Sequence, residues 1–460
     1  MPGNEGPSAV LPVFEAYQAA RLQVVQALAE LVVPPEQRSG AEGKVPSATD
    51  AAEYRELLSA LENYAPTLAR AVGPLCFDVV PGVQLSALVS LSRLARSSDK
   101  LSGTVAGASV LPHVLSLLSS QMVKKEVRVG AAGMLLQVLR KEEGCRQALE
   151  AGVLATLIDA FDEFEPEMKT LALWCLGTLA DSSLAGASAV VDAGGARVAT
   201  LCLGELQLPV LRIAASVLAD IAKHEAELAV AVVGCGALEA LAPLLSSRAL
   251  VTGRGSPAPA AMALGLIGGY SEELAEAVVE AGALPVLAQG LRLSDAPHVR
   301  ALVSNSLRAL AGKSEAAAVA IAEADTLPVL QALAAQPDTG GQRTAALAAL
   351  GAIATRLGEA GAYEHLREMV TQADVVPQTL PPVLHALAVL FGSSEDAGRH
   401  QAHFVAAGHM RKLQHLRAGA DSVLRGAIEA LNGAFPGEVV DQLQPGYEQA
   451  LLDQLDNGAP

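Results

Sequence analysis

The chain has 460 residues, with 49 Asp and Glu against 32 Lys and Arg and a formal net charge of −17. That surplus argues against a protein that neutralises nucleic-acid phosphates, and against wholesale attraction to anionic lipid. Half of the residues (51%) are apolar but only 3% are aromatic, a stock of small side chains suited to helices stacked in many similar layers.

Residues 1–9 read as a disordered amino terminus. Residues 10–33, VLPVFEAYQAARLQVVQALAELVV, place Phe14, Tyr17, Leu22, Val25, Leu28 and Leu31 near helical spacing and predict a helix that caps the first layer. Residues 34–50, PPEQRSGAEGKVPSATD, are rich in Pro, Gly, Ser and charge and read as an exposed inserted loop. The helical pattern resumes at Glu53. From Val79 it becomes regular, and Pro166 is placed to open the third helix of its group.

The clearest stretch is 211–245, LRIAASVLADIAKHEAELAVAVVGCGALEALAPLL. Ala214, Val217, Leu218 and Ile221 form the stripe of an amphipathic helix, and Lys223 and His224 suit its carbonyl end. Gly236 lets the chain bend before Leu238, Leu241, Leu244 and Leu245 restart the stripe. The same corner recurs: positions 67, 109, 152, 194, 236, 282 and 325 are separated by 42, 43, 42, 42, 46 and 43 residues, and 408 follows 83 later. A period near 42 built from helical runs predicts an all-α, right-handed armadillo-repeat solenoid of about eight to nine repeats. It is expected to span residues 10–435 with an irregular corner at 246–259, and residues 436–460 are expected to cap its far end. The unit from Glu359 to Phe391 lacks an evident corner glycine and carries Pro377, Pro381 and Pro382.

Five scattered cysteines (76, 145, 175, 202 and 235) with no CxxC read as free thiols in a reducing compartment. The opening MPGNEGPSAV has neither a basic nor an apolar signal region, so no secretory signal is expected and the cytosol is the default location. The longest weakly charged run, 255–271, carries two prolines and reads as a buried layer and not as a membrane span.

Four segments resemble one family. They are LPVFEAYQAARLQVVQALAEL (11–31), FDVVPGVQLSALVSLSRLA (77–95), LRIAASVLADIAKHEAELAVAVV (211–233) and AIEALNGAFPGEVVDQLQPGYEQALLDQLD (427–456). The last contains Phe435-Pro436, Glu438-Val439-Val440 and Pro445-Gly446-Tyr447. In order and content they are similar to the sperm-associated antigen 6 family, armadillo proteins of the ciliary central pair, over residues 11 to 456. The chain departs from that pattern in the loop at 34–50, in one or two layers skipped between Leu245 and Gly255, and in non-glycine corners at 67, 109 and 325. Those differences suit a diverged paralogue. The resemblance implies a non-catalytic scaffold of the C1 microtubule, with tubulin and other central-apparatus proteins, armadillo members included, as partners. It also implies residence in the axoneme and a role in flagellar motility, and head-to-tail association along the filament is compatible with the repeat geometry.

One residue pattern could carry binding. Arg128, Lys169, Arg212, Arg300, Arg343 and Arg425 stand just before the expected third helices, separated by 41, 43, 88, 43 and 82 residues. Equivalent positions in a solenoid align into a ladder, which could receive an acidic extended segment such as a tubulin tail. The other reading makes them solvated corner residues or partners of local carboxylates such as Glu126 and Glu167. Trp174, the single tryptophan, is followed one turn later by Thr178 and reads as a packing residue. His400, His403, His409 and His415 cluster, but no carboxylate or cysteine is placed to complete a metal site, and they read as solvated or capping. There is no GxxxxGK[ST], GxSxG or HExxH, and Gly253-Arg254-Gly255 is a lone turn. No catalytic residue, cofactor or metal ligand is assigned. A scaffold is the first expectation, and a soluble adaptor or assembly factor binding an extended acidic client is the second.

Overall fold

Serine side chains start many of the short helices, and residues in left-handed conformation turn them into the next. Ser98, Ser183, Ser271 and Ser314 accept hydrogen bonds from the backbone N–H groups of Leu101, Gly186, Leu274 and Ala317 at 3.0–3.3 Å. Gly152, Gly194, Gly236, Gly282 and Gly408 take φ of 75 to 90° at the ends of such helices, where a glycine escapes the penalty a Cβ brings. These positions are the expected corners. The corner at 325 keeps the same conformation without glycine: Asp325 has φ 55°, an angle that aspartate tolerates better than most residues.

The computed structural model describes residues 10–35, 48–107, 110–159, 161, 165–246, 258–294, 296–372, 377–394 and 396–447. The expected disordered residues 1–9, most of the inserted loop (36–47), the irregular corner at 247–257 and the tail from 448 onwards lie outside them. All secondary structure among the described residues is helical, and the fold is an all-α armadillo solenoid. Contacts divide it into two units, Met1–His224 and Glu225–Pro460.

In the first unit α1 (Val10–Leu31) and α2 (Ala48–Val72) precede α3 (Pro81–Ser97). Three complete layers follow: α4 (Asp99–Ala106), α5 (Leu111–Ser119) and α6 (Lys125–Leu139); α7 (Glu142–Glu150), α8 (Val153–Asp159) and α9 (Pro166–Ser182); α10 (Leu184–Asp192), α11 (Gly195–Cys202) and α12 (Leu208–Ala222). The third helices α3, α6, α9 and α12 pack in sequence. Helix α1 takes the third-helix place ahead of α3, and its Val25 carbonyl accepts from Ser90 at 2.9 Å. The expected corner at Thr67 is not one. Pro66 and Thr67 lie inside α2, because no glycine stands there and a β-branched threonine does not enter the left-handed region cheaply.

The second unit holds α13 (Ala226–Gly234), α14 (Ala237–Leu241) and α15 (Ala258–Gly268); α16 (Glu272–Glu280), α17 (Ala283–Leu293) and α18 (Pro297–Lys313); α19 (Glu315–Glu323), α20 (Leu327–Ala334) and α21 (Gln342–Glu359). Next come α22 (Tyr363–Gln372) and α23 (Leu380–Ser393), then α24 (Ala397–Ala406), α25 (His409–Arg417), α26 (Ser422–Asn432) and α27 (Gly437–Gln442). The layer of α22 and α23 lacks the short first helix. Its corner glycine, unseen in the sequence, is Gly361 at φ 70°, which joins α21 directly to α22. The Ala362 N–H reaches Leu357 O at 2.8 Å and the Gly361 N–H reaches Gly358 O at 3.2 Å, the paired bonds of a Schellman stop.

The layers are held by small residues and closely set backbones. Ser306 on α18 donates to Ala261 O on α15 at 2.7 Å, and a Cβ on Gly265 would come 2.7 Å from the Ser306 Cα. The stripe read at Ala214, Val217, Leu218 and Ile221 is fully buried. All five cysteines are free, and burial pushes the Cys76 and Cys175 thiols up to about 12. Among the described residues no single helix is long and apolar enough to cross a membrane.

Candidate functional site

Each third helix of the first unit buries its neighbours' side and leaves one stripe towards solvent, recurring every three or four residues. On α9 the stripe is Glu167, Thr170, Trp174, Thr178 and Asp181, and on α12 it is Pro209, Arg212, Ser216 and Asp220 at the same four places, with Lys223 continuing it just past the helix end. Adjacent stripes communicate through their ends. Lys223 pairs with the Asp181 carboxylate and donates to its carbonyl at 3.1 Å, while the His224 ring lies 2.6 Å from Ala180 O. Burial, reinforced by the Asp181 charge and opposed by Lys223, pushes the Asp220 carboxyl up to about 6.

Trp174 occupies the middle of this surface and is 42% exposed. It is not the packing residue the sequence suggested: its position in α9 falls on the solvent stripe, one residue from the buried Cys175. It borders a hollow of about 460 Å³ shared with Leu136, Arg140, Thr178 and Asp181. Arg140, at the end of α6, is exposed and makes no ion pair among the described residues. This combination offers a flat ring, a cation and hydroxyl groups to a segment lying across the third helices.

The six periodic cations are the second to fifth residues of their helices and do not stand ahead of them as expected. Arg128, Lys169, Arg300 and Arg425 share one place: their backbone N–H groups bond to the capping carbonyls of Lys124, Glu165, Ala296 and Asp421 at 2.8–3.2 Å. In α12 that slot belongs to the buried Leu211, and Arg212 follows it onto the exposed stripe. Arg343 is the second residue of α21.

Four of the six, Arg128, Lys169, Arg300 and Arg343, are half-buried. The Lys169 ammonium pairs with Glu205 at 2.6 Å and lies 5.9 Å over the Phe161 ring, with 19% of its side chain exposed. Arg300 Nε donates to Ser294 O at 2.6 Å. Arg212 and Arg425 are exposed, and the Arg425 guanidinium donates to Ala420 O at 3.0 Å. Glu167, named beforehand as a local partner, binds Lys125 at 3.3 Å, and Glu165 shares that ammonium at 2.7 Å. Within the first unit Arg128, Lys169 and Arg212 fall on successive packed helices. In the second, Arg300 and Arg343 do so, while α23 stands between the helices of Arg343 and Arg425.

The histidines near the chain's end build an aromatic cluster. His400 stacks on Tyr363 at 4.4 Å and His403 meets the same ring edge-on at 5.8 Å. His409 is buried beside Phe404, and burial together with Arg367 and Lys412 holds its pKa below the usual range. His415 is exposed. Among the described residues no group of three or more His, Cys, Asp or Glu is gathered as a metal site.

No family model matches the chain. Over 112 residues it is 33% identical to sperm-associated antigen 6 of Mus musculus and 32% identical to that of Homo sapiens. The matched region is 24% of this chain and spans about 18% of the length of those relatives. The resemblance read from the sequence is thus found, over a narrower stretch than residues 11 to 456. Among solved structures, a crystal structure of an engineered protein superposes over 89% of this chain and 98% of its own with a TM-score of 0.62 and 24% identity. A designed armadillo repeat protein aligns over 53% of this chain with a TM-score of 0.48 and 23% identity.

Proposed function

We propose that the chain is a non-catalytic scaffold of the motile axoneme that binds the C1 microtubule of the central pair and its neighbouring proteins and supports flagellar motility. The observation that carries this reading is the 33% identity to sperm-associated antigen 6. The fold adds a physical reason: stacked layers present long surfaces on which other proteins can be held. The chain would work in the cytoskeleton of the cilium or flagellum, beside tubulin and other armadillo proteins, with end-to-end contacts between copies. The test is fractionation of isolated cilia. A scaffold stays with the axoneme through detergent and leaves in high salt, and recovery in the detergent-soluble matrix or the cell body would refute the reading.

Exposed Trp174 beside Arg140 favours a second reading, a soluble adaptor or assembly factor that holds an extended acidic client across the third helices. The periodic cations Arg128, Lys169, Arg212, Arg300, Arg343 and Arg425 belong to the same proposal. Arg212 and Arg425 are its accessible members, and Arg212→Glu with Arg425→Glu is expected to weaken microtubule co-sedimentation, most at low salt. Unchanged binding at every ionic strength would remove the cations from the contact.

A further inference from the structure

Three large apolar side chains of the first unit stand almost wholly in solvent, and they occupy one place in the repeat. Met122 is 96% exposed, Leu206 91% and Val79 80%, the three highest values among the described large apolar residues. Each sits two or three residues ahead of a third helix, before Lys125, Leu208 and Pro81. Their sequence separations are 43 and 84, one and two repeats. The corresponding loop of the layer between Met122 and Leu206 lies partly outside the described residues.

The loops that carry two of them are pinned from behind. Asp78 pairs with Arg21 and its carboxylate accepts from the Val80 N–H at 2.9 Å. Glu205 is tied to Lys169 at 2.6 Å, and its N–H donates to Cys202 O at 3.2 Å. Val79 is held from both sides and Leu206 through Glu205, and both side chains point outward instead of folding back onto the layer. Single exposed apolar residues are ordinary, but a row of them repeating with the layers is a surface.

We infer that this row is a docking edge for an amphipathic α-helix of a partner protein, with an apolar residue at every seventh position and a carboxylate opposite Lys124. The spacing selects the helix. Successive packed helices lie roughly 8–10 Å apart, and seven residues of α-helix rise about 10.5 Å while returning to nearly the same face. An extended strand covers about 10 Å in three residues, but its side chains alternate, so residues three apart face opposite ways. The charge comes from Lys124, two residues from Met122, which is exposed and makes no ion pair among the described residues. Lys125 next to it is already shared by Glu165 and Glu167. The edge lies at the amino-terminal ends of the third helices, whereas Trp174 stands midway along α9, and the inference does not depend on where in the cell the chain works.

Cross-linking from the full chain in the cells that make it tests the geometry. A benzophenone amino acid is placed at 122 or at 206, the cells are irradiated, and the adducts are mapped by mass spectrometry. Two layers separate these positions, so both probes are expected to capture one polypeptide, at sites about 14 residues apart in a helical segment. Sites about six residues apart would mean an extended partner, and capture of this same chain would mean a second copy; either result, adducts on unrelated polypeptides or no adducts overturns the inference. Met122→Ser with Leu206→Ser should lower recovery of the captured polypeptide at least tenfold while leaving the melting curve unchanged. Undiminished recovery would overturn it as well.

Discussion

Replacing Gly265 with alanine tests how closely two layers of the second unit are fitted. Alanine is the better helix former by about 1 kcal/mol, so in isolation the change would stabilise α15. In the packed chain its Cβ would lie 2.5 Å from Ser306 Oγ and 2.7 Å from the Ser306 Cα. Rotating the serine relieves the first contact but not the second, so α18 itself must retreat by several tenths of an ångström. Overpacking of this kind costs about 1–3 kcal/mol. The retreat also stretches the 2.7 Å bond from Ser306 to Ala261 O, worth roughly 1 kcal/mol. After the propensity gain, the net loss is about 1–3 kcal/mol. Gly426→Ala is the matched control, since nothing lies within 4 Å of its Cβ in α26, and it should gain up to about 1 kcal/mol. Urea unfolding followed by far-ultraviolet circular dichroism reads both. A Gly265→Ala chain as stable as the native one would refute the close approach of α15 and α18.

Leu218→Asp places a carboxylate where the native side chain is fully buried and should cost on the order of 4 kcal/mol or more; the buried thiol of Cys175 should then react with a thiol reagent it otherwise resists. Asp325→Val forces a β-branched residue to φ 55° and should lower stability by about 1–2 kcal/mol, while Asp325→Asn stays within a few tenths in the same urea titration. Asp220 titrates near 6 in the folded chain against 3.8 unfolded, so between those values the folded state holds the extra proton and stability falls as pH rises. The loss is complete by about pH 7, so Asp220→Asn should stabilise the chain by on the order of 1 kcal/mol at pH 7.5, after allowance for solvent screening, and hardly at all at pH 4. An equal gain at both pH values would show that its origin is not this proton.

The amino-acid sequence by itself determined the repeat. Glycine every 42 or so residues can hold a left-handed corner whatever packs around it, and the spacing of Ala214, Val217, Leu218 and Ile221 fixes which side of a helix turns inward, because both are properties of the local backbone. The same logic misplaced a corner at Thr67, where periodicity alone was followed without a residue able to make the turn, and it passed over Gly361 because the layer there is shortened. Which way a side chain points across neighbouring layers was decided only in the tertiary structure. Lys169 looks like one of a row of free cations when written out, yet its place in the first turn of α9 brings it to Glu205 in the next loop. Trp174 looked like core and faces solvent, while Val79, Met122 and Leu206 look unremarkable in the chain and prove the most exposed of the described large apolar residues only once it is folded. Helical period depends on residues a few positions apart, whereas exposure depends on residues one or more whole repeats away, and that second distance is closed only by folding.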